Sequence, residues 1–186
     1  RDLSDELIRC FAEEEKLCDH IHLPVQSGSN RILALMNRGY TVEEYMNKVD
    51  CLRKMNPRIS ITSDIIVGFP GETQSEYQET IDMMEKIRFD STFSFKYSER
   101  KGTVAQKLEG KVEECEKLRR LKHLQMVQDQ HTLQKNIAME NTRQKILIEG
   151  KSKNSENDLM GRTSSWKIVN FKGESDLIGR LIEVKI

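Results

Sequence analysis

A β-branched run at residues 59–69, set between two helix-start signatures, constrains this chain more than any other feature. The run holds Ile59, Ile61, Thr62, Ile65, Ile66 and Val67 and closes in Gly68-Phe69-Pro70-Gly71, which predicts a strand ending in a tight turn. Ahead of it stands Thr41-x-x-Glu44 and behind it Thr73-x-x-Glu76. In each, the threonine hydroxyl can accept the N–H three residues on while the glutamate reaches back to the threonine N–H. The first of these helices has to stop before Asn56-Pro57, because proline disfavours helix in the residue preceding it. The second runs to about Ile87. Helix, strand and helix in this order build βαβ units, which make neighbouring strands parallel and place ligand-binding loops at their carboxyl ends.

The alternation extends in both directions. Leu7, Ile8 and Phe11 follow Ser4 with helical spacing, and residues 21–25 form a short strand bounded by Pro24 and a Ser27-Gly28-Ser29 turn. Ser29 is placed to cap a short helix through Leu35 and Met36, and residues 92–97, with Phe93, Phe95 and Tyr97 alternating, give a third strand. His20 and His22 are read as pointing to opposite faces of their strand, hence as structural residues and not a shared metal site. From Val112 the pattern changes to a long charged helix with Cys115, Leu118, Leu121, Leu124 and Val127 at helical spacing, read as a connector. Short β runs follow at 145–148, 159–163, 167–171 and 178–186, so the chain divides into an α/β part, 1–131, and a small all-β module, 132–186.

Net charge is zero, with 30 basic and 30 acidic residues, but the halves differ. Residues 1–131 hold 20 basic and 23 acidic side chains, and 132–186 hold 10 and 7, so the β module is the basic half. There Lys151, Lys153, Arg162, Trp166, Lys167 and Lys172 interleave cations with the only tryptophan. That suits a nucleic-acid backbone with a base stacked on the ring, or a solvated β surface with Trp166 in the core. Cys10, Cys18, Cys51 and Cys115 are scattered with no C-x-x-C pair, so they read as reduced thiols. Apolar runs such as Ile65-Ile66-Val67 are too short to cross a bilayer and no leader opens the chain; a soluble, cytoplasmic protein is expected. Arg1 in place of methionine, and Ile186 inside an alternating apolar segment, read as cut ends of a longer protein.

Candidate ligand contacts gather after the strands. Gln26, Ser27 and Gly28 follow the first, as a ligand loop or as a plain strand-to-helix turn. Arg38, beside Gly39, can clamp a carboxylate or ribose or simply end a helix in solvent. Asp64 lies inside a strand, where an unpaired carboxylate is costly unless it meets a polar partner. Gly68 allows close backbone approach, as a turn or beside a ligand. After the third strand, Arg100, Lys101 and Thr103 offer cations and a hydroxyl, as a site or as a charged loop.

Taken in order, His22-Leu-Pro-Val-Gln-Ser-Gly-Ser-Asn30, Met36-Asn-Arg-Gly-Tyr-Thr41, Ser63-Asp-Ile-Ile-Val-Gly-Phe-Pro-Gly-Glu-Thr73 and Phe95-Lys-Tyr-Ser-x-Arg-x-Gly-Thr103 resemble the radical S-adenosylmethionine methylthiotransferases. The subgroup most similar converts N6-isopentenyladenosine beside the tRNA anticodon to its 2-methylthio derivative. Ile148-Glu-Gly150, Gly161-Arg-Thr163 and Ile178-Gly179 resemble the TRAM module that ends such proteins. The resemblance implies the second half of a partial (β/α) TIM-like radical SAM barrel followed by a truncated TRAM β-barrel. It also implies S-adenosylmethionine, two [4Fe-4S] clusters ligated outside this chain, and hence an inactive isolated chain with no catalytic residue of its own. Gln26, Arg38 and Asp64 fall where the family contacts S-adenosylmethionine, with Ser27, Gly28 and Gly68 in the same loops. Arg100, Lys101, Thr103, Lys151, Lys153, Arg162, Trp166 and Lys167 then become substrate and RNA contacts. The implied partners are a tRNA anticodon stem-loop and a reductant such as flavodoxin or ferredoxin, with the protein a monomer away from membranes. Two other readings stay open: a methylthiotransferase acting on threonylcarbamoyl-adenosine or on a ribosomal protein, and a non-catalytic RNA-binding module.

Overall fold

A computed structural model describes residues 3–153, 155 and 158–186. Strands β1 (His20–His22), β2 (Ser60–Val67) and β3 (Ser91–Lys96) pair in the order β1-β2-β3, all parallel. Pro24 has no N–H to give, so the ladder beyond β1 is carried by side chains. Ser63 Oγ accepts the Val25 N–H at 3.0 Å and donates to the Leu23 carbonyl at 2.9 Å, while Tyr40 Oη donates to the carbonyls of Pro24 and Val25. Pairing resumes at Gln26, whose N–H meets the Asp64 carbonyl at 2.9 Å and whose carbonyl accepts the Ile66 N–H.

Helices α1 (Asp5–Glu13), α2 (Asn30–Leu35), α3 (Val42–Met55) and α4 (Gln74–Ile87) follow the sequence signals closely, and both expected capping boxes form. Ser29 departs from its expected role: its hydroxyl makes no cap and donates to Glu76 Oε1 at 3.3 Å. Val49, Leu52, Tyr77, Ile81 and Met84 bury against Ile61, Ile65 and Val67, and each such side chain contributes about 1.5–3 kcal/mol.

Helix α5 (Glu114–Ile137) is no free connector. Cys115 and Leu118, expected on its packed stripe, are exposed; the buried residues are Arg120, Leu124, Val127, Gln128 and His131. Two of the polar members reach across the fold, Gln128 Nε2 to the Phe89 carbonyl at 3.0 Å and His131 Nε2 to Glu85 at 3.0 Å, while Gln128 Oε1 and His131 Nδ1 are buried without a partner among the described residues. Because α5 runs unbroken past residue 131, we place the boundary between the two parts at its end.

Strands β4 (Arg143–Lys151), β5 (Asp158–Thr163), β6 (Ile168–Lys172) and β7 (Leu181–Lys185) form an antiparallel sheet in the order β6-β5-β4-β7 over Ile146, Ile148 and Leu159. Among the described residues its edge strands β6 and β7 do not pair with each other. The β5–β6 hairpin docks on the amino ends of the parallel strands: Ser164 Oγ donates to Asp19 Oδ2 at 2.8 Å, and Trp166 stacks on His20 with ring centroids 5.3 Å apart. Trp166 sits at φ 68°. It fills the left-handed position of a three-residue hairpin loop, a place that ordinarily goes to glycine or asparagine.

Candidate cofactor site at the carboxyl end of the parallel sheet

One face of the sheet is covered by helices, and the other becomes more open toward β3, where Phe93 and Phe95 are 59% and 54% exposed. That second face carries His20, His22, Thr62, Asp64 and Phe93. Contrary to the expectation of opposite faces, both histidines meet Thr62 Oγ1 at 3.0 Å, because residues two apart on a strand share a side. His22 Nε2 also lies 3.4 Å from Asp64 Oδ1 and its ring packs edge-on to Phe93. Asp64 therefore has a neighbour while keeping its carboxylate about a third exposed (30%). Burial pushes the His20 imidazole below its ordinary pKa, with His22 adding to the effect, so this face favours neutral His20.

Gln26 ends the first strand segment at φ 76°, is 5% exposed, and its side-chain amide makes no hydrogen bond within the described residues. The residue is buried but its amide is not sealed from solvent, and with its backbone held in a region that non-glycine residues avoid, the amide is free to meet a polar ligand. Arg38 follows Asn37 at φ 55°, its N–H closing on the Leu33 carbonyl, and its charge bears on Tyr40 beside the end of the first strand. Ser27 and Gly28 are engaged elsewhere. Ser27 Oγ accepts the Ser29 N–H, and the Gly28 N–H reaches Thr80 Oγ1 at 2.9 Å with no room for a side chain against α4.

The loop after β2 is clamped from several sides. Gly68, at φ 71°, donates its N–H to Glu72 Oε2 at 2.7 Å. That oxygen also accepts Arg120 Nη1 at 2.7 Å, in an ion pair whose side chains are 6% and 1% exposed. Burial nonetheless pushes the Glu72 carboxyl pKa upward, against the pull of the Gly68 N–H and Arg120. Arg120 donates as well to the Glu72 carbonyl and to Glu116, and Tyr77 Oη donates to the Arg120 carbonyl at 3.0 Å. On the far side of the loop Arg31 holds Gly71's carbonyl and forks onto Glu76, which drops the Glu76 carboxyl to about 2. Glu72 and Arg120 carry no ligand-pointing signal in the sequence; only their distant partners reveal them.

Arg100, Lys101 and Thr103 are exposed in the loop after β3, with Thr103 Oγ1 donating to the Arg100 carbonyl. On the β module Lys151 and Lys153 are exposed, Arg162 pairs with Glu149 at 3.0 Å, and its guanidinium lies 4.3 Å from the Trp166 ring centre. Trp166 is thus neither core nor free: it is 49% exposed and bridges the two sheets, with half-buried Lys167 beside it.

A cleft of about 750 Å³ lies instead on the helical side, lined by Glu43, Glu79, Asp82 and the Arg31–Glu76 pair. It gathers none of the sheet-end residues except the turn at Gly28. We therefore take the sheet end as the site. No group of three or more histidine, cysteine or acidic side chains is arranged to hold a metal among the described residues, and Cys10, Cys18, Cys51 and Cys115 lie apart. The described residues offer no arrangement that fits an iron–sulfur cluster, whereas the Gln26 amide and the Asp64 carboxylate fit a polar cofactor such as S-adenosylmethionine.

Residues 1–84 match the Radical SAM superfamily and residues 138–186 the TRAM domain. The chain therefore joins a segment similar to the Radical SAM superfamily to one similar to the TRAM domain. Over all 186 residues it is 61% identical to tRNA-2-methylthio-N(6)-dimethylallyladenosine synthase of Syntrophus aciditrophicus and 47% identical to that of Carboxydothermus hydrogenoformans. It spans 40% and 42% of the length of these relatives. Among solved structures, coproporphyrinogen III oxidase (HemN) from Escherichia coli, a radical SAM enzyme, matches 70% of this chain and 30% of its own at a TM-score of 0.58 and 19% identity, a likeness of fold alone. No helix among the described residues is long and apolar enough to cross a membrane.

Proposed function

We propose that this chain is the cofactor-positioning and RNA-holding part of an enzyme that adds a methylthio group to C2 of N6-isopentenyladenosine beside the tRNA anticodon. What carries the reading is the 61% identity along the whole chain to a synthase named for that product, on a fold that mounts a basic β module on a ligand-bearing sheet. The family draws its radical and sulfur chemistry from S-adenosylmethionine and two [4Fe-4S] clusters, whose ligands would have to come from outside residues 1–186. The chain's own residues bind and orient. Gln26, Arg38, Asp64 and the Gly68 backbone hold S-adenosylmethionine, with Ser27 and Gly28 setting the turn that aims Gln26. Arg100, Lys101 and Thr103 meet the substrate at the same end. Lys151, Lys153, Arg162 and Lys167 attract the anticodon stem-loop, with Trp166 at their edge. The whole enzyme is a cytoplasmic monomer served by a reductant such as flavodoxin or ferredoxin.

Nucleoside analysis of tRNA from a strain lacking the gene should show unmethylthiolated N6-isopentenyladenosine accumulating; loss of a methylthio group from threonylcarbamoyl-adenosine instead would move the enzyme to the sister specificity. In the full-length protein, Asp64→Asn is expected to weaken S-adenosylmethionine binding about ten- to a hundredfold, the worth of a charge-assisted contact, at unchanged iron content. Equal affinity would return Asp64 to a purely structural place beside His22. Binding of an anticodon stem-loop should fall steeply with salt, and substituting Lys151 and Lys153 together should reduce the log–log slope by about 0.7–0.9 for each phosphate that is no longer neutralised. A slope unchanged by the double substitution would remove the β module's lysines from the RNA interface.

A further inference from the structure

Lys117 stands in the first turn of α5, and its side chain, 13% exposed, lies across Gly68 so closely that a Cβ on that glycine would come within 2.4 Å of Lys117 Cγ. Its ammonium is only loosely held, its partner being Glu114 one turn back on the same helix. The nearest carboxylate oxygen, Glu114 Oε2, is 3.7 Å away, and the other oxygen of Glu114 is taken by Lys96. Lys117 Nζ lies 5.7 Å from the centre of the Tyr97 ring, and the Tyr97 hydroxyl is itself buried with no partner. Gly68 and Tyr97 directly follow β2 and β3. Two donors with room for a further acceptor, one of them cationic, thus meet at the carboxyl end of the sheet. Burying a hydroxyl without an acceptor is costly, and the Lys117 ammonium, paired only with a carboxylate oxygen 3.7 Å away, keeps donors to spare. A single anionic group has enough oxygens to meet both through short, charge-assisted bonds, which a neutral ligand cannot supply to the ammonium.

We propose that Lys117 and Tyr97 form an anion-binding point that takes a carboxylate or phosphate of the ligand entering the carboxyl end of the sheet. The inference rests on the proposed function only for where that anion comes from: the carboxylate of S-adenosylmethionine or a phosphate of the RNA. Two near-isosteric variants of the full-length protein test it. Lys117→Met keeps the aliphatic stem over Gly68 and removes the charge; Tyr97→Phe removes the hydroxyl alone. Three probes are titrated: S-adenosylmethionine, an anticodon stem-loop, and inorganic phosphate at constant ionic strength. Lys117→Met is expected to weaken one of the first two by about ten- to a hundredfold and Tyr97→Phe by several-fold, with the thermal midpoint unchanged. A loss confined to S-adenosylmethionine assigns the carboxylate. A loss confined to RNA, with a shallower salt slope, assigns the phosphate. Wild-type protein that binds phosphate through Lys117 but neither natural ligand would keep the anion point and overturn the proposed function. Unaltered binding of all three probes in both variants would overturn the anion point itself.

Discussion

Replacing Arg120 by methionine is expected to cost about 3–5 kcal/mol of stability, the penalty for leaving one member of a buried ion pair without the other. Arg120 and Glu72 are 5% and 4% exposed, and the carboxylate they share also holds the Gly68 N–H. Without the guanidinium, Glu72 either keeps an uncompensated charge or takes up a proton, the direction in which burial already pushes it. Chemical denaturation followed by far-ultraviolet circular dichroism measures the loss. The double variant Glu72→Gln/Arg120→Met should recover much of it, since no buried charge remains and the amide oxygen can still accept from Gly68. A single variant as stable as wild type would mean that the pair is not closed in solution.

The second large effect belongs to Gly28. A Cβ added there would lie 2.5 Å from Thr80 Cα, 2.6 Å from the Glu79 carbonyl oxygen and 2.7 Å from the Thr80 amide nitrogen. All three atoms are α4 backbone, which cannot swing aside like the end of a side chain. Gly28→Ala should therefore cost about 3 kcal/mol, the upper part of the overpacking range, and should lower cofactor affinity as well, because the turn that positions Gln26 is pushed off the helix. Gly39 and Gly102 provide the control. Both have positive φ but nothing within 4 Å of an added Cβ, so alanine there meets only backbone strain of about 1 kcal/mol. Equal losses at all three glycines would show that conformation, not space, sets the requirement at Gly28.

The parts of this fold that were legible in the sequence are those fixed by neighbours along the chain. The capping boxes at Thr41 and Thr73, the β-branched run through Ile65-Ile66-Val67 and the turn at Gly68 need only residues a few positions away. The polar stripe of α5 was not legible, because Arg120, Gln128 and His131 are buried on account of Glu72, the Phe89 carbonyl and Glu85, some forty residues distant. Spacing alone therefore selected Cys115 and Leu118, which face solvent. At the candidate site, Gln26 and Gly68 draw notice in the sequence because strand ends are where parallel sheets bind ligands, and Asp64 because a carboxylate inside a strand needs a polar partner. Lys117 does not: one lysine on a charged helix looks like any other until Gly68 is found beneath it. Trp166 fitted neither reading of the sequence, since its partner, His20, lies in the other part of the chain.

That stack carries a mechanical consequence. The β module is fastened to the α/β part at two points, by the chain running from α5 into β4 and by the Ser164–Trp166 tip resting on Asp19 and His20. A single fastening is a hinge; two make a bracket. With α5, 24 residues and roughly 36 Å long, as its rigid arm, the bracket fixes the span between the lysines of the β module and the open end of the sheet. Under the proposed function, an RNA held by the one and modified at the other is selected by length before it is read by chemistry, as a gauge accepts only parts of one size.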